Sequence, residues 1–336
     1  MAKKKRKPVS GQKIATTLAA LLFLAAAVYG AVKCFVRPPE LPQDPQQEQK
    51  DAQNNSDPQQ GQQTETDQNL RKKGYYTILL CGTDDDNGGT DTNILVSVDT
   101  EAGKVYGVSL PRDTLLDTQW KTKKLNHSYN VGGIPELRKQ IHNLLGVPVD
   151  YYVQVDLKAF VKLVDTIKGV DFDVPLDMDY DDPAQELSIH FKKGMQHLDG
   201  ADALRVVRFR HNNDGTGYGT EDIGRIGTQQ AFLKTVAKKM LQPENLTKVG
   251  SYVDIFQEYV KTDLTNGNMV WLAQQVFTIG VDNIEFHTLP GDGTKRYLGR
   301  SYYVLDPEKT LEMVNQCLNP YQRQLSLKDM DILSVE

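Results

Sequence analysis

The sequence predicts a three-layer α/β/α domain with a mixed central sheet, preceded by one transmembrane helix. One apolar run, Ile14 to Val32, follows the cluster Lys3, Lys4, Lys5, Arg6 and Lys7. From Tyr75 onward, strand-like apolar runs alternate with segments of helical period, the pattern of a sheet covered by helices on both faces. That part of the chain is long enough for one sizeable domain with a full core.

The N-terminal layout follows from length and charge. About twenty apolar residues span a bilayer as a helix, and cations before such a run hold that end in the cytoplasm. The run is longer than the apolar core of a signal peptide, and Lys33 is the wrong neighbour for a lipoprotein Cys34. Residues 1–13 thus read as a basic cytoplasmic tail and 14–36 as a single-pass anchor in the cell membrane. Residues 37–73 are rich in Pro and Gln and nearly free of large apolar side chains. They read as a disordered linker, because such a segment buries too little surface to offset its ordering entropy. Residues 74–336 read as an extracytoplasmic domain with a C-terminal helical extension. The net charge of -5 argues against a nucleic-acid partner. The three cysteines, Cys34, Cys81 and Cys317, have neither metal nor disulfide spacing.

The domain opens with Tyr75 to Cys81, a nearly continuous apolar run expected of a strand covered on both faces. Ile94 to Val98 is the next strand, and Val105 to Leu110 pairs antiparallel to it across the turn Glu101–Lys104. Pro135 starts a helix through Leu137, Ile141 and Leu144 that stops at Gly146. Val149 to Val155 is a further strand. Leu157 to Ile167 is a helix expected to bury Phe160, Val161, Val164 and Ile167. Helices are expected around 231–240, 252–259 and 269–277, with Thr265 or Asn266 as a cap. Ile284 to Leu289 reads as a last strand. Pro307 to Cys317 reads as a closing helix capped by Asp306.

Three groups of residues carry chemistry. Asp84 and Asp91 flank a loop rich in Asp and Gly after the first strand, and read as hard oxygen ligands for Mg²⁺ or as an ordinary acidic turn. Arg112 emerges with Asp113 where Pro111 ends a strand, and reads as a structural pair or as part of a site. Val206 to Arg210 reads as a strand, which sets Arg208 and Arg210 on one face roughly 7 Å apart. A helix from about Asp222 then sets Asp222, Arg225 and Gln229 on one face. Such a donor-rich surface suits phosphate, although a solvated edge strand with an Asp222–Arg225 pair accounts for it too.

Taken together these pieces resemble the LytR–CpsA–Psr family. The resemblance rests on Gly82-Thr83-Asp84, Thr90-Asp91-Thr92, Ser109 to Thr114, Lys124-Leu125-Asn126, Lys168-Gly169-Val170, Gly194 to Gly200, Ala203 to Arg210, Asp222 to Arg225 and Gln229-Gln230. It covers roughly Tyr75 to Met240 in one co-linear order. The resemblance implies a Gram-positive-type enzyme, a Mg²⁺-dependent phosphotransferase. It would move a phosphate-linked glycopolymer, such as teichoic acid or capsule, from a polyprenyl-pyrophosphate carrier to peptidoglycan. It also implies Asp84 and Asp91 as metal acids, and Arg112, Arg208, Arg210, Arg225 and Gln229 as the pyrophosphate-binding set, with Asp222 in support. Two positions depart from the family pattern: Gly89 and Thr228 stand where an Arg is usual.

Transfer off a pyrophosphate needs mainly positioning and charge neutralisation. The acceptor hydroxyl gains from a general base, for which Asp91 and Asp113 qualify. Neither a catalytic triad nor a P-loop lysine is evident. Two other functions use the same residues: a polyprenyl-pyrophosphate hydrolase with water as acceptor, and a non-catalytic membrane receptor for a lipid-linked ligand.

Overall fold

The computed structural model describes residues 36–41, 70–83, 89–219, 221–240, 242–246, 248–280 and 283–335. The anticipated anchor and Asp84 lie outside the described residues, apart from Val36 at the anchor's end; no helix among the described residues is long and apolar enough to cross a membrane.

A six-stranded mixed sheet organises the domain. Its members are β1 (Tyr75–Thr83), β2 (Thr90–Asp99), β3 (Lys104–Ser109) and β4 (Tyr151–Asp156), with two strands from the second half of the chain at its edges. β2 runs antiparallel to both β1 and β3, whereas β4 is parallel to β1. β1, β3 and β4 therefore end at the same end of the sheet, where β2 begins. Both edges of β1 are paired, and every residue of the strand is buried or nearly so, as its unbroken apolar run requires.

Alternate residues of these strands feed two separate cores. Ile78, Val96 and Val153 pack under the helices α2 (Leu157–Thr166), α3 (Gly200–Arg208) and α4 (Glu221–Met240). Leu79, Leu95 and Val108 pack on the other face under α1 (Leu125–Leu145). Helices thus cover both faces, as the alternation predicts.

Several local expectations shift. α1 begins at Leu125, ahead of Pro135, and its dihedrals break at Gly132 and Gly133 before Pro135 restarts it. α2 buries Ala159, Leu163 and Val164, while Phe160 and Val161 are only half-buried. The Phe160 ring instead leans on Phe232 of α4, 5.5 Å between centroids. Between α2 and α3 the chain folds into nested hairpins: β5 (Val170–Val174) pairs with β8 (Gly194–Leu198), and β6 (Met178–Asp182) with β7 (Leu187–Phe191).

After α4 come a single turn, α5 (Pro243–Leu246), then α6 (Val249–Tyr259) and β9 (Val260–Thr262), which pairs with β4. α7 (Asn266–Ile279) starts at Thr265, which forms a reciprocal capping box with Asn268 and so decides between the two expected caps. β10 (Ile284–Thr288) adds to the sheet parallel to β3. Short strands β11 (Gly291–Asp292), β12 (Arg296–Tyr297), β13 (Arg300–Ser301) and β14 (Val304–Leu305) lead to α8 (Pro307–Cys317). Asp306 caps α8, accepting from the Lys309 N–H at 3.2 Å.

Both described ends of the expected linker lie against the domain. Pro39 is buried and Leu41 packs on the first core. Asn268 Nδ2 donates to the Arg37 carbonyl at 3.3 Å, and the Tyr151 hydroxyl donates to the Glu40 carbonyl. Arg71 forms a two-pronged pair with Asp150, 2.7 Å at each contact.

Candidate functional site

The first group of site residues forms where β3 ends. Pro111 allows a tight turn, in which the Thr114 N–H and hydroxyl both donate to its carbonyl at 3.0 and 2.6 Å. Asn126, at the start of α1, donates its N–H to the Arg112 carbonyl at 3.0 Å. The Asp113 carboxylate is flanked by two cations: Lys124 Nζ lies 2.6 Å from Oδ2 and Arg112 Nε 3.4 Å from Oδ1. All three side chains keep about a quarter of their surface open to solvent. The structure therefore gives Asp113 a closer partner, Lys124, than the neighbouring Arg112 of the sequence reading.

A second contribution comes from far along the chain. The Tyr303 N–H donates to the Asp113 carbonyl and the Leu115 N–H to the Tyr303 carbonyl, both at 2.9 Å. The Lys124 ammonium sits 5.8 Å from the centre of the buried Tyr302 ring, a cation–π distance. Sequence reasoning assigned nothing chemical to residues after Gln230. No local motif at Tyr302-Tyr303 announces the pairing, which is an edge contact between segments distant in sequence.

The backbone of Asp91 belongs to the same sheet end. The side chain of Asp91 and all of Asp84 lie outside the described set, so their separation is not described. The backbone of Asp91 lies in β2 at the bulge opposite Gly82 and Thr83. Around it is a layer of buried oxygen-bearing side chains. Gln154 Nε2 donates to Thr83 Oγ1 at 3.2 Å and to the Tyr129 hydroxyl at 3.0 Å. Thr90 Oγ1, Asn93 Oδ1 and Ser128 Oγ are buried with no hydrogen-bond partner among the described residues. Unpartnered hard oxygens of this kind are donors that suit Mg²⁺. Gly89 has φ +148, a conformation that favours glycine, so the departure from Arg at this position matches the backbone here.

The third group corrects the sequence reading. Residues 206–208 close helix α3; they are not a strand, and Arg208 and Arg210 do not share a strand face. Asp199 caps the helix by accepting from the Asp202 N–H, and Ala203, Val206 and Val207 are buried at helical spacing. That cap and that burial outweigh the β-branched Val206-Val207 pair, whose β preference is context-dependent. Arg208 is the last helical residue; Phe209 turns extended and is buried, and Arg210 follows half-exposed.

α4 supplies the other members. Arg225 and Gln229 lie one turn apart on it, as the spacing predicts, and Arg225 is buried to 8 % exposure. Gln229 Nε2 donates to the Val207 carbonyl at 3.0 Å, which brings α4 against the end of α3 beside Arg208. The Asp222 side chain lies outside the described set. Thr228, the second departure, donates to the Gly224 carbonyl and accepts from the Tyr218 hydroxyl at 2.5 Å. Gly224 leaves room for that ring, since a Cβ there would fall 2.3 Å from it. Burial pushes the Tyr218 phenol up, against the opposing effect of Thr228. The structure thus assembles Arg208, Arg225 and Gln229 at one helix contact, and Arg112, Asp113 and Lys124 at the end of β3.

Comparison with known proteins places this arrangement. The LytR_cpsA_psr family model matches residues 44–319. The polyisoprenyl-teichoic acid–peptidoglycan teichoic acid transferase TagU of Bacillus cereus is 32% identical over 252 residues, covering 74% of this chain and 79% of that one. TagV of Bacillus subtilis, with the same transferase name, is 32% identical over 264 residues, 74% of this chain and 65% of its own. The crystal structure of B. subtilis TagV superposes with a TM-score of 0.59 at 26% identity, covering 78% of this chain and all of that one. The chain belongs to the LytR–CpsA–Psr family.

Proposed function

We propose that this protein transfers a phosphate-linked glycopolymer from a polyprenyl-pyrophosphate carrier to peptidoglycan, at the outer face of the membrane that residues 14–36 span. The observation that carries the reading is the Gln229–Val207 bond, which sets Arg225, Gln229 and Arg208 around one helix contact. The names of its teichoic acid transferase relatives supply the donor and acceptor classes. On this reading, the docking of Arg37 to Leu41 on the domain supports a domain that works close to the bilayer.

The acceptor hydroxyl attacks the phosphorus that carries the glycopolymer. The bond from that phosphorus to the bridging oxygen breaks, and polyprenyl phosphate departs with the negative charge. Arg112, Arg208, Arg210 and Arg225 hold the pyrophosphate oxygens, and Gln229 joins the helix that carries Arg225 to the one that ends in Arg208. Asp91 takes the acceptor proton. Asp113 serves better as a clamp than as a base, because each of its oxygens faces a cation. Mg²⁺, held by Asp84 and Asp91, would neutralise developing charge on the phosphates.

The test uses the full chain reconstituted in vesicles, a lipid-pyrophosphate-linked saccharide, Mg²⁺ and peptidoglycan fragments. The expected product is saccharide joined to glycan through a phosphodiester. Arg208→Ala and Arg210→Ala should each lower its rate roughly tenfold or more, from the worth of one charge-assisted contact. Saccharide phosphate formed in the presence of acceptor would favour the hydrolase. Binding without turnover under any metal would favour the receptor.

A further inference from the structure

Arg210 forms no hydrogen bond or ion pair among the described residues, so the backbone on either side of it sets its place. On one side Phe209 is buried, its ring 5.7 Å edge-on from Tyr218. On the other side residues 211–219 lead to α4 and fold back on themselves. The Asn212 N–H donates to the Thr216 carbonyl at 2.7 Å, and Asn212 Nδ2 to Thr216 Oγ1 at 2.9 Å. His211 bridges to Gly217, where φ is +146 and a Cβ would fall 2.8 Å from His211 Cα. That close approach requires glycine.

Two asparagines fasten this loop to the hairpin of β6 and β7. Asn212 Oδ1 accepts from the Asp179 N–H and Asn213 Oδ1 from the Asp181 N–H, both at 2.6 Å. Asn213 also donates, from its N–H to the Asp179 carbonyl at 3.1 Å and from Nδ2 to the Asp181 carbonyl at 3.0 Å. β6 pairs with β7 along one edge. The four bonds take up the groups that alternate residues of β6 turn the other way, as a third strand would. The hairpin is itself rooted, since Met178 and Ile189 are buried in the first core. Tyr180, between the two clamped residues, meets the His211 ring edge-on at 5.4 Å and lies within electrostatic reach of Arg210.

We propose that Asn212 and Asn213 are positioning residues for the transfer. By holding the chain just beyond Arg210 to β6, they fix where its guanidinium meets the pyrophosphate. This role rests on the reading of Arg210 as a pyrophosphate ligand. An arginine without a side-chain partner loses its aim when its backbone moves, and a misplacement of about 1 Å costs on the order of a hundredfold in rate. Asparagine suits the task, because one side-chain amide offers both a donor and an acceptor and so stands in for a peptide unit. A purely protective cover for the open edge of β6 is the competing account. Such a cover demands no link to residue 210.

The experiment is a double-mutant cycle on the full chain in vesicles, read by affinity for inorganic pyrophosphate with Mg²⁺ and by kcat/KM for transfer. Asn212→Ala combined with Asn213→Ala should lower both roughly tenfold. In an Arg210→Ala background the same pair should change neither by more than about twofold, because the arginine it serves is gone. Losses that multiply in the two backgrounds, or wild-type values in the pair variant, would overturn the role and leave an edge cover. Asn212→Ala alone keeps three of the four bonds. It should melt within about 2 °C of wild type and show the same pattern at smaller amplitude. Hydrogen exchange checks the clamp apart from the reaction. The Asp179 and Asp181 amides and residues 209–217 should exchange faster in the pair variant, and unchanged protection there would overturn the clamp. Wild-type affinity and turnover in Arg210→Ala alone would remove Arg210 from the pyrophosphate site and the role with it, while exchange would still show whether the clamp exists.

Discussion

Gln229 on α4 donates from Nε2 to the main-chain carbonyl of Val207, 3.0 Å away, at the residue before Arg208. One side chain thus joins the helix carrying Arg225 to the helix that ends in Arg208. Gln229→Leu deletes the donor and leaves that carbonyl short of a partner, a loss of about 1 kcal/mol. The melting temperature should fall by roughly 2–4 °C and kcat/KM roughly tenfold. Gln229→Glu should be worse in rate, since it sets a carboxylate among groups meant for an anion. Wild-type kcat/KM in both variants would separate the helix contact from catalysis.

The metal proposal has its own signature. Asp84→Asn and Asp91→Asn should each depress Mg²⁺-dependent turnover roughly a hundredfold, the scale of several kcal/mol of charge stabilisation. Without ligand, both variants should melt within about a degree of wild type if the carboxylates serve the metal and not the fold. Full turnover in the presence of a chelator would exclude the metal from the mechanism.

Arg71 belongs to the domain in energetic terms. Asp150 is 2 % exposed and accepts from Thr77 N and Oγ1 as well as from Arg71. Arg71→Ala would strand a buried carboxylate, which typically costs about 3–5 kcal/mol. The denaturation midpoint should therefore drop sharply, and a fragment starting after residue 73 should be unstable for the same reason. An unchanged midpoint would show that water or another cation replaces the guanidinium.

A pH dependence follows from the C-terminal clip. Arg323 binds Asp329 through two nitrogens at 2.6 and 3.1 Å, and Ser326 donates its N–H and hydroxyl to the same carboxylate at 2.8 Å. The Arg323 pairing leads in holding the Asp329 carboxyl well below the usual carboxylate range. A carboxylate depressed in the folded state contributes stability that is present above its unfolded pKa of about 4 and fades as pH falls toward the folded value. Asp329→Asn should thus lower the melting temperature at pH 7, with the gap from wild type closing under acid. A gap of constant width from neutral to strongly acidic pH would contradict the assignment.

What the sequence determined by itself was local or periodic. The unbroken apolar run of β1 specified a strand covered on both faces, because every second residue must find a core on its own side. Asp306 with Pro307 specified the start of α8, because a cap acts within one turn. The spacing of Arg225 and Gln229 set them on one helical face. The co-linear motifs marked the family, which the match over residues 44–319 establishes. Tertiary structure decided the rest. Val206 to Arg208 became the end of a helix because Ala203, Val206 and Val207 found a core at helical spacing, a contest that local β preference could not settle. Lys124 became the closest cation to Asp113, and Tyr303 its backbone partner, because segments far apart in sequence meet at the end of β3. Such pairings depend on where the sheet brings its ends together, and no window of neighbouring residues encodes that.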